Sequence, residues 1–465
     1  MTTRQPNAGL ERLYRESGWT LRQFAQAVNR IGTERGTPLK YTPASVHQWL
    51  QGHMPKEAVR PLALEALARR LHRPVTSSEA GFPSSPDQLK QPVGTVEGLF
   101  DLGREDMDPS RRAVLGAGLF SVALTIPGWP DVVGRMDALR TDPQRRIGHS
   151  EVQAVTAMTD RLSDLDDEFG GRYARPMAAA FLVNTVAPYL KASASDETRK
   201  SMMSAASFLC YLTGWMAVDE GAHGRAQEYY VKSLELAGAS GDHMTYCHVL
   251  RGMSVQAANL GHGTAAARLA NAAAEASPES GPRMRAFIAG QQAHSYALAG
   301  EKTNALNSLR EAERAVNQAE SQLGTFGGFS SATLAYATSE VRHALGDVKG
   351  SVESLHDHFR LRDTTDSKRS EIKFGAMLAE RQLESGHLEA ACASWNRALD
   401  AYPGIHSGRI DGQISRIPSL LAPYRSNPAA RQLLERSRGV QRPREPRHLS
   451  PSSRDASPES FAGAE

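Results

Sequence analysis

At 465 residues the chain is too long for a single hydrophobic core, and its 40% hydrophobic and 23% charged residues are ordinary for a globular protein. Alanine is abundant, while Val, Ile, Thr and Tyr form no alternating runs, which excludes a large sheet and predicts an all-α fold. The net charge of +3 is uneven, because residues 1–82 hold twelve Lys/Arg against six Asp/Glu and the remainder is slightly acidic. A basic region of this kind suits contact with phosphates, although solubility alone would also explain it.

Residues 1–82 are predicted to form a compact helical unit. Thr20 is a candidate N-cap for a helix whose apolar residues recur on one face. Thr42-Pro43 is a second helix start, and the helix over 44–51 ends at Gly52. The residues expected to face the core are Leu21, Phe24, Ala25, Val28, Val46, Trp49 and Leu50.

The second helix leaves a polar outer face. With Val46, Trp49 and Leu50 inward, the residues that point outward are Thr42, Ala44, Ser45, His47 and Gln48. Short polar side chains at the start of such a helix suit the major groove, where they exchange hydrogen bonds with base edges. In the alternative interpretation the segment is simply a well-capped helix, Thr42 and Ser45 only cap it, and His47 is a surface residue.

The segment 49–55 carries a family resemblance. It resembles the end of the recognition helix in lambda-repressor-like (XRE-type) helix-turn-helix domains, and residues 67–75 resemble their closing helix. Two positions depart from the family, Leu50 and Leu21, and the stretch Thr33 to Tyr41 enlarges the turn. The resemblance implies DNA binding, with phosphate contacts from Arg22, Lys40 and Lys56.

Residues 83–110, rich in Pro, Ser and Gly, are predicted to be a linker. Residues 111–200 are predicted to hold an apolar helix and the helices that lead into the repeats. The segment 110–126 imitates a twin-arginine export signal but lies too far from the N-terminus to be one. We therefore expect a buried helix that docks on the repeats, with membrane contact as the alternative.

The region 201–403 repeats itself in a pattern that resembles tetratricopeptide units. Starts at 207, 247, 286, 332 and 372 bring small residues to positions 8 and 20 and glycine to position 15. The turn glycines are Gly221, Gly261, Gly300, Gly346 and Gly386. Small residues let two helices cross closely, which predicts a solenoid of helix pairs; an irregular Ala-rich bundle is the alternative.

Residues 404–435 are predicted to form a C-terminal helical cap, and 436–465 a disordered tail. An acidic cluster, Asp164, Asp166, Asp167 and Glu168, is interpreted as a solvated helix end. The three cysteines, Cys210, Cys247 and Cys392, form no CxxC pair, which favours a reducing, cytoplasmic location and burial inside helices.

Repeat geometry assigns certain positions to a concave groove for a signalling peptide, a small molecule or a protein partner. These residues are Tyr211, Asp219, His248, Arg251, Asn259, His294, Tyr336, Glu340, His343, Lys373 and Glu380. Homodimerisation is an equally open use of this surface. The histidines lie in different repeats without metal-ligand spacing, so we expect no metal or other cofactor.

The sequence contains none of the phosphate-binding, nucleophile-elbow or zinc-protease motifs, and we expect no enzyme. The combination of the N-terminal helical unit, the arginine-rich apolar segment and the repeats resembles actinobacterial regulators that repress sporulation and antibiotic production. The resemblance implies a cytoplasmic transcriptional repressor that binds double-stranded DNA. The alternative is a scaffold that binds proteins through both parts and has no affinity for DNA.

Overall fold

The computed structural model describes residues 6–34, 39–71, 75, 79–82, 94–107, 120–121, 142–276, 281–319, 329–362 and 368–440. These residues are helical almost throughout, which confirms the all-α prediction. One short parallel pairing, between β1 (Asp142–Arg146) and β2 (Ala192–Ser193), interrupts the helices. Residues 127–141 and 441–465 lie outside the described residues, so the predicted tail is described only to Val440.

The N-terminal unit packs its helices around one core. Its elements are α1 (Ala8–Ser17), α2 (Leu21–Glu34), α3 (Pro43–Leu50), a 3-10 turn (Glu57–Val59) and α4 (Arg60–Leu71). Of the seven residues predicted to face inward, six are buried, and Leu21 packs against the same core while partly exposed. Val75, Ala80 and Phe82 close this core from the C-terminal side.

The remaining helices form the body. They are α5 (Thr95–Met107), α6 (His149–Phe169), α7 (Gly171–Phe181) with a π-helical turn (Leu182–Val186), α8 (Ala187–Lys191), α9 (Asp196–Asp219), α10 (His223–Ser240), α11 (His243–Asn259), α12 (Gly263–Glu275), α13 (Pro282–Leu298), α14 (Lys302–Ala319), α15 (Ser331–Ala344), α16 (Val348–Leu361), α17 (Lys368–Glu384), α18 (Leu388–Ala401), α19 (Gly408–Leu420), a 3-10 turn (Ala422–Tyr424) and α20 (Pro428–Val440).

From α9 to α18 consecutive helices pack in pairs, and a glycine makes each turn within a pair. The five glycines have φ between +79° and +88°, a left-handed conformation that disfavours side chains. At each turn the residue after the glycine donates its N–H to a carbonyl five residues back, as from His262 to Ala257 at 2.9 Å. This is a C-terminal cap of the Schellman type, repeated five times.

Small residues let the two helices of a pair cross closely, as the sequence predicts. The Ser254 hydroxyl donates to the carbonyl of Ala266 at 2.8 Å, and Ser339 donates to the carbonyl of Ser351 at the same distance. At Gly214 a Cβ atom would lie 2.8 Å from the ring of Tyr230, so no larger residue fits there. His358 stands where the pattern has alanine; it is buried and lies 2.8 Å from the carbonyl of Ala332.

The helical array closes on itself. The Arg369 guanidinium at the start of α17 lies 2.8 Å from Asp166 and 3.0 Å from Asp167, at the end of α6. The N–H of His406 donates to the carbonyl of Phe169 at 2.7 Å. Helix α6, near the start of the body, is therefore joined to α17 and to the segment that precedes α19. Residues of α9, α11, α15, α17 and α19 line a central cavity.

The acidic cluster is the first correction to the sequence interpretation. Asp166 is buried and ion-paired, because α17 returns to the end of α6. Burial raises the pKa of Asp166 to about 6, although Arg369 opposes the shift. Asp164, by contrast, is exposed and pairs only loosely with Arg161, as expected of a solvated helix end.

Two predicted boundaries are also wrong. Residues 95–107 of the predicted linker form α5, whose Val96, Leu99 and Leu102 join the core beside α7 and α10. Asp106 is buried there, bonded to Arg175 and to the Tyr229 hydroxyl. The helix α20 runs to Val440 and includes the first five residues of the predicted tail, since Leu433 and Leu434 pack into the core of the last helices.

Within the part of the chain that the structure describes, one helix, α9, is long and apolar enough to cross a membrane, and 72% of its most apolar 18-residue stretch is buried inside the protein. Its buried residues include Met202, Met203 and Cys210, in the core shared with α5 to α7. This is the position of a core helix. The other cysteines, Cys247 and Cys392, are likewise buried.

Candidate nucleic-acid interface and central cavity

Reciprocal hydrogen bonds fix the start of α2. The backbone N–H of Thr20 donates to Gln23 Oε1 at 2.8 Å, and the N–H of Gln23 donates to Thr20 Oγ1 at 3.3 Å. This is a capping box, and it confirms Thr20 as the N-cap. From this start, Phe24 and Val28 turn into the core and leave Arg22 and Gln26 exposed.

The start of α3 is held by Thr42 and Ser45. The Thr42 N–H donates to Ser45 Oγ at 3.3 Å, and the two hydroxyls also lie 3.3 Å apart. Pro43 occupies the first turn, where its missing N–H costs no hydrogen bond. Ser45 is half-buried and its hydroxyl is engaged with Thr42 at the helix cap. The exposed polar surface of α3 is therefore formed mainly by other residues.

Sequence reasoning missed Asn29, which ties α2 to α3. Its Nδ2 donates to the carbonyl of Tyr41, and its Oδ1 accepts from the Tyr41 N–H, both at 2.8 Å. The Tyr41 ring packs edge-on against Trp49, with centroids 5.0 Å apart. Asn29 thus fixes the segment that leads into α3, despite the enlarged connection between the helices.

Apart from Ser45, the structure places the predicted contact residues on the outside of the N-terminal unit. Thr42, Ala44, His47 and Gln48 are exposed on α3 and its cap. The three residues that the resemblance implies for phosphate contact, Arg22, Lys40 and Lys56, are exposed as well. The side chains of Val46 and Trp49 anchor the opposite face of α3, so His47 and Gln48 are fixed in an outward direction.

A two-residue bridge connects this unit to the body. The Phe120 ring packs among alanines of α11 and α12 and stacks on His262 at 5.1 Å. Ser121 exchanges two backbone hydrogen bonds with the Gln227 side chain, at 2.8 and 2.9 Å. Its hydroxyl donates to Glu65 of α4 at 2.8 Å. These two residues of the apolar segment contact helices α10 to α12. The rest of the segment predicted to form a helix lies outside the described residues.

A cavity of about 710 Å³ lies at the centre of the closed array. The predicted groove residues that line it are Asp219, Asn259, Tyr336, Glu340, His343, Lys373 and Glu380. Four others lie behind its wall: Tyr211 and His248 are buried, ring against ring at 4.5 Å; Arg251 lies over the Phe287 ring at 3.9 Å; and His294 lies 3.7 Å from Glu340.

Asp219 joins the first and last parts of the array. Its carboxylate accepts from Ser407 Oγ at 2.8 Å, from Arg409 Nε at 3.1 Å and from the Gly171 N–H at 3.1 Å. Burial favours the protonated form of Asp219, but Arg409 and Arg369 hold its pKa below the usual value. Asp219 is therefore an ionised structural contact as well as a wall of the cavity.

Most charges at the cavity are paired. Arg381 bonds to Glu340, Arg416 lies 3.2 Å from Glu380, and His343 lies 2.9 Å from Glu384. Burial raises the pKa of Glu340, but its neighbours His294 and Arg381 lower it by more. The net pKa of Glu340 therefore lies below the usual value. The carboxylate of Glu340 is thus ionised and committed to Arg381.

Two cations of the wall are less well satisfied. Lys373 makes no ion pair within the described chain, and its Nζ lies 5.0 Å from the ring centres of both Tyr336 and Phe374. Burial and the neighbouring Arg409 lower the pKa of Lys373 to about 7. Arg409 stacks on Trp215 at 4.9 Å, and its buried Nη1 has no hydrogen-bond partner among the described residues. Sequence reasoning found Lys373 from its repeat position but missed Arg409, which follows the repeats.

One family model matches the chain: it is described as the SP15 N-terminal domain and covers residues 10–83. The match begins within α1 and ends one residue after Phe82, the last residue of the N-terminal core. No curated protein matches the chain.

Proposed function

We propose that the protein is a DNA-binding transcription regulator, a repressor of development or secondary metabolism. Its N-terminal unit is a lambda-repressor-like helix-turn-helix domain, and its body is an array of tetratricopeptide-like repeats. The observation that carries the proposal is the outer face of α3, where His47 and Gln48 are exposed on a helix anchored by Val46 and Trp49. A short, firmly held helix with an exposed polar face suits entry into the major groove.

Exposed cations on segments next to α3 support a position of this helix in the major groove. Arg22 lies in the first turn of α2, Lys40 precedes α3 and Lys56 follows it, and all three are exposed. In DNA recognition, phosphate contacts from such residues set the position of the helix, while base contacts provide specificity. A homodimer would present two copies of α3 to the two halves of a near-palindromic operator.

The repeats serve as the sensor or partner-binding part of this regulator. The bridge at Phe120 and Ser121 touches both α4 of the N-terminal unit and helices α10 to α12 of the body. A change in the packing of the repeats therefore has a direct physical route to the N-terminal unit. Peptide or protein binding in the array would act through this route.

Genome-wide mapping of DNA bound by the tagged full-length protein tests the proposal. We expect discrete bound sites that share a sequence motif, and we expect them to be lost in the His47→Ala/Gln48→Ala double variant. A matched Gln318→Ala variant on α14, far along the chain from α3, controls for expression. Absence of bound sites in the wild type would favour the protein scaffold instead.

A further inference from the structure

The charged side chains that line the central cavity are not all paired with one another. Five cations and five carboxylates line it, and most of them form ion pairs with one another. Lys373 is the exception, because its Nζ lies against the rings of Tyr336 and Phe374, which pack on each other, and it has no carboxylate contact among the described residues. A second cation of the wall, Arg409, is only partly satisfied. Its Nε donates to Asp219, while its Nη1 is buried without a hydrogen-bond partner in the described chain.

These two cations disfavour each other. Arg409 contributes to the lowered pKa of Lys373, and Arg251 and Arg369 act in the same direction, while Glu340 alone opposes them. Buried charges are normally paired or hydrogen-bonded, because desolvation of a lone charge is costly. An anion placed beside Lys373 and Arg409 would satisfy both, and it would find no equivalent site at Arg381 or Arg416, which already have carboxylate partners.

The same wall offers acceptors and apolar surface. The carboxylate oxygen Glu380 Oε1 and the amide oxygen Gln413 Oε1 are buried without hydrogen-bond partners within the described chain. They suit a ligand that donates N–H groups. Trp215, Tyr336 and Phe374 also line the cavity and contribute apolar ring surface for an aromatic or aliphatic group.

We propose that the central cavity binds the carboxylate of an N-acylated aromatic amino acid or of a short peptide's C-terminus, held between Lys373 and Arg409. The ligand's N–H groups face Glu380 and Gln413, and its side chain packs against Trp215, Tyr336 and Phe374. A single negative charge matches the single unpaired lysine. A second negative charge would lie near the carboxylates of Glu340 and Glu380, so phosphate esters fit less well.

The size of the cavity agrees with this ligand class. Its volume of about 710 Å³ falls within the range of about 300–1,000 Å³ that is typical of small-molecule sites. The residues around it come from several helices, α9, α15, α17 and α19, and include both ends of the closed array. Ligand contacts here would therefore strengthen the closure made by Arg369 and Asp219.

This inference rests on the proposed regulator function in one respect: the ligand acts as a regulatory signal only if the protein is a regulator. Binding of the ligand itself does not depend on that function. The probes are N-acetyl-tryptophan, its neutral C-terminal amide and the tripeptide Gly-Gly-Trp, titrated into the full-length protein without DNA and followed by calorimetry and ligand-observed NMR. We expect the acid to bind at least about tenfold more tightly than the amide, since a charge-assisted hydrogen bond contributes about one to two powers of ten in affinity.

The variant Lys373→Met should reduce binding of the acid to the level of the amide, while Lys302→Met, at an exposed lysine of α14, should leave it unchanged. Tighter binding of Gly-Gly-Trp identifies a peptide terminus as the ligand source, and tighter or equal binding of N-acetyl-tryptophan identifies a free acid. Equal binding of acid and amide, or no signal from either, overturns the proposal and needs no variant to interpret. Such a failure leaves the DNA proposal intact, because no DNA is present in the titration.

Discussion

Arg369 Nη1 lies 2.8 Å from Asp166 Oδ1, although the two residues are 203 positions apart in the chain. Both side chains are buried, and the same guanidinium reaches Asp167 and approaches Asp219 at 3.9 Å. This contact joins the last helix pair to the first helices of the body. The central cavity exists because the array closes at this point.

Removal of Arg369 should open the array. Arg369→Ala leaves Asp166 and Asp219 buried with less compensation, and breaking a buried ion pair costs about 3–5 kcal/mol. Urea unfolding of the full-length protein measures the loss. Arg314→Ala, at an exposed arginine of α14, is the matched control and should change the free energy of unfolding by less than about 0.5 kcal/mol. A loss for Arg369→Ala as small as that of the control would contradict the closure.

The raised pKa of Asp166 predicts a pH dependence of stability. Its pKa is about 6 in the folded protein and 3.8 as the ordinary value, so between these pH values the folded state holds a proton that the unfolded state has released. The free energy of unfolding should therefore fall as pH rises from 3.8 to 6. Subtraction of the pH profile of Asp166→Asn isolates this contribution. Parallel profiles for wild type and variant would show that Asp166 does not titrate in this range.

The turn glycines should be sensitive to a single methyl group. Gly261 has φ +79° with open space around its Cα, so Gly261→Ala tests backbone conformation alone, and we expect a loss of about 1–2 kcal/mol. Gly412, within helix α19, also has open space but no positive φ. Gly412→Ala should instead stabilise the protein by about 0.5–1 kcal/mol. The same sign of effect for both variants, read from thermal unfolding, would refute the left-handed turn.

Asn29 should control the order of α3. Its amide both donates to and accepts from Tyr41, and aspartate can only accept, so Asn29→Asp and Asn29→Ala should both weaken the connection, by about 1–3 kcal/mol. Amide hydrogen exchange of residues 41–51 in the full-length protein reports this locally. The exposed Gln26→Ala, on the same helix, should leave exchange unchanged. Equal protection in all three variants would mean that other contacts hold α3.

The sequence predicts those parts of the fold whose signals are local. The five turn glycines and the small residues opposite them lie at fixed spacing, and each one acts within its own helix pair. Likewise, Val46, Trp49 and Leu50 reveal the inward face of α3 by their periodicity. Such features need no knowledge of distant contacts.

The closure of the array has no local signal. Asp166 belongs to an acidic cluster that resembles a solvated helix end, and only the return of α17 makes it a buried partner of Arg369. For the same reason the sequence predicts a linker where α5 lies, because the neighbouring prolines and glycines outweigh its short apolar face. Lys373 and Arg409 line the same cavity only because of this long-range closure.

The most direct test of the account is the affinity of the purified full-length protein for an operator duplex found by genome mapping. We predict that the His47→Ala/Gln48→Ala double variant binds at least about tenfold more weakly, since a good base contact contributes about 1–3 kcal/mol of discrimination. Binding of the Gln318→Ala control should remain unchanged, and all affinities should fall steeply with rising salt. Operator binding by the double variant as tight as that of the wild type would contradict the assignment of α3 as the DNA-reading helix.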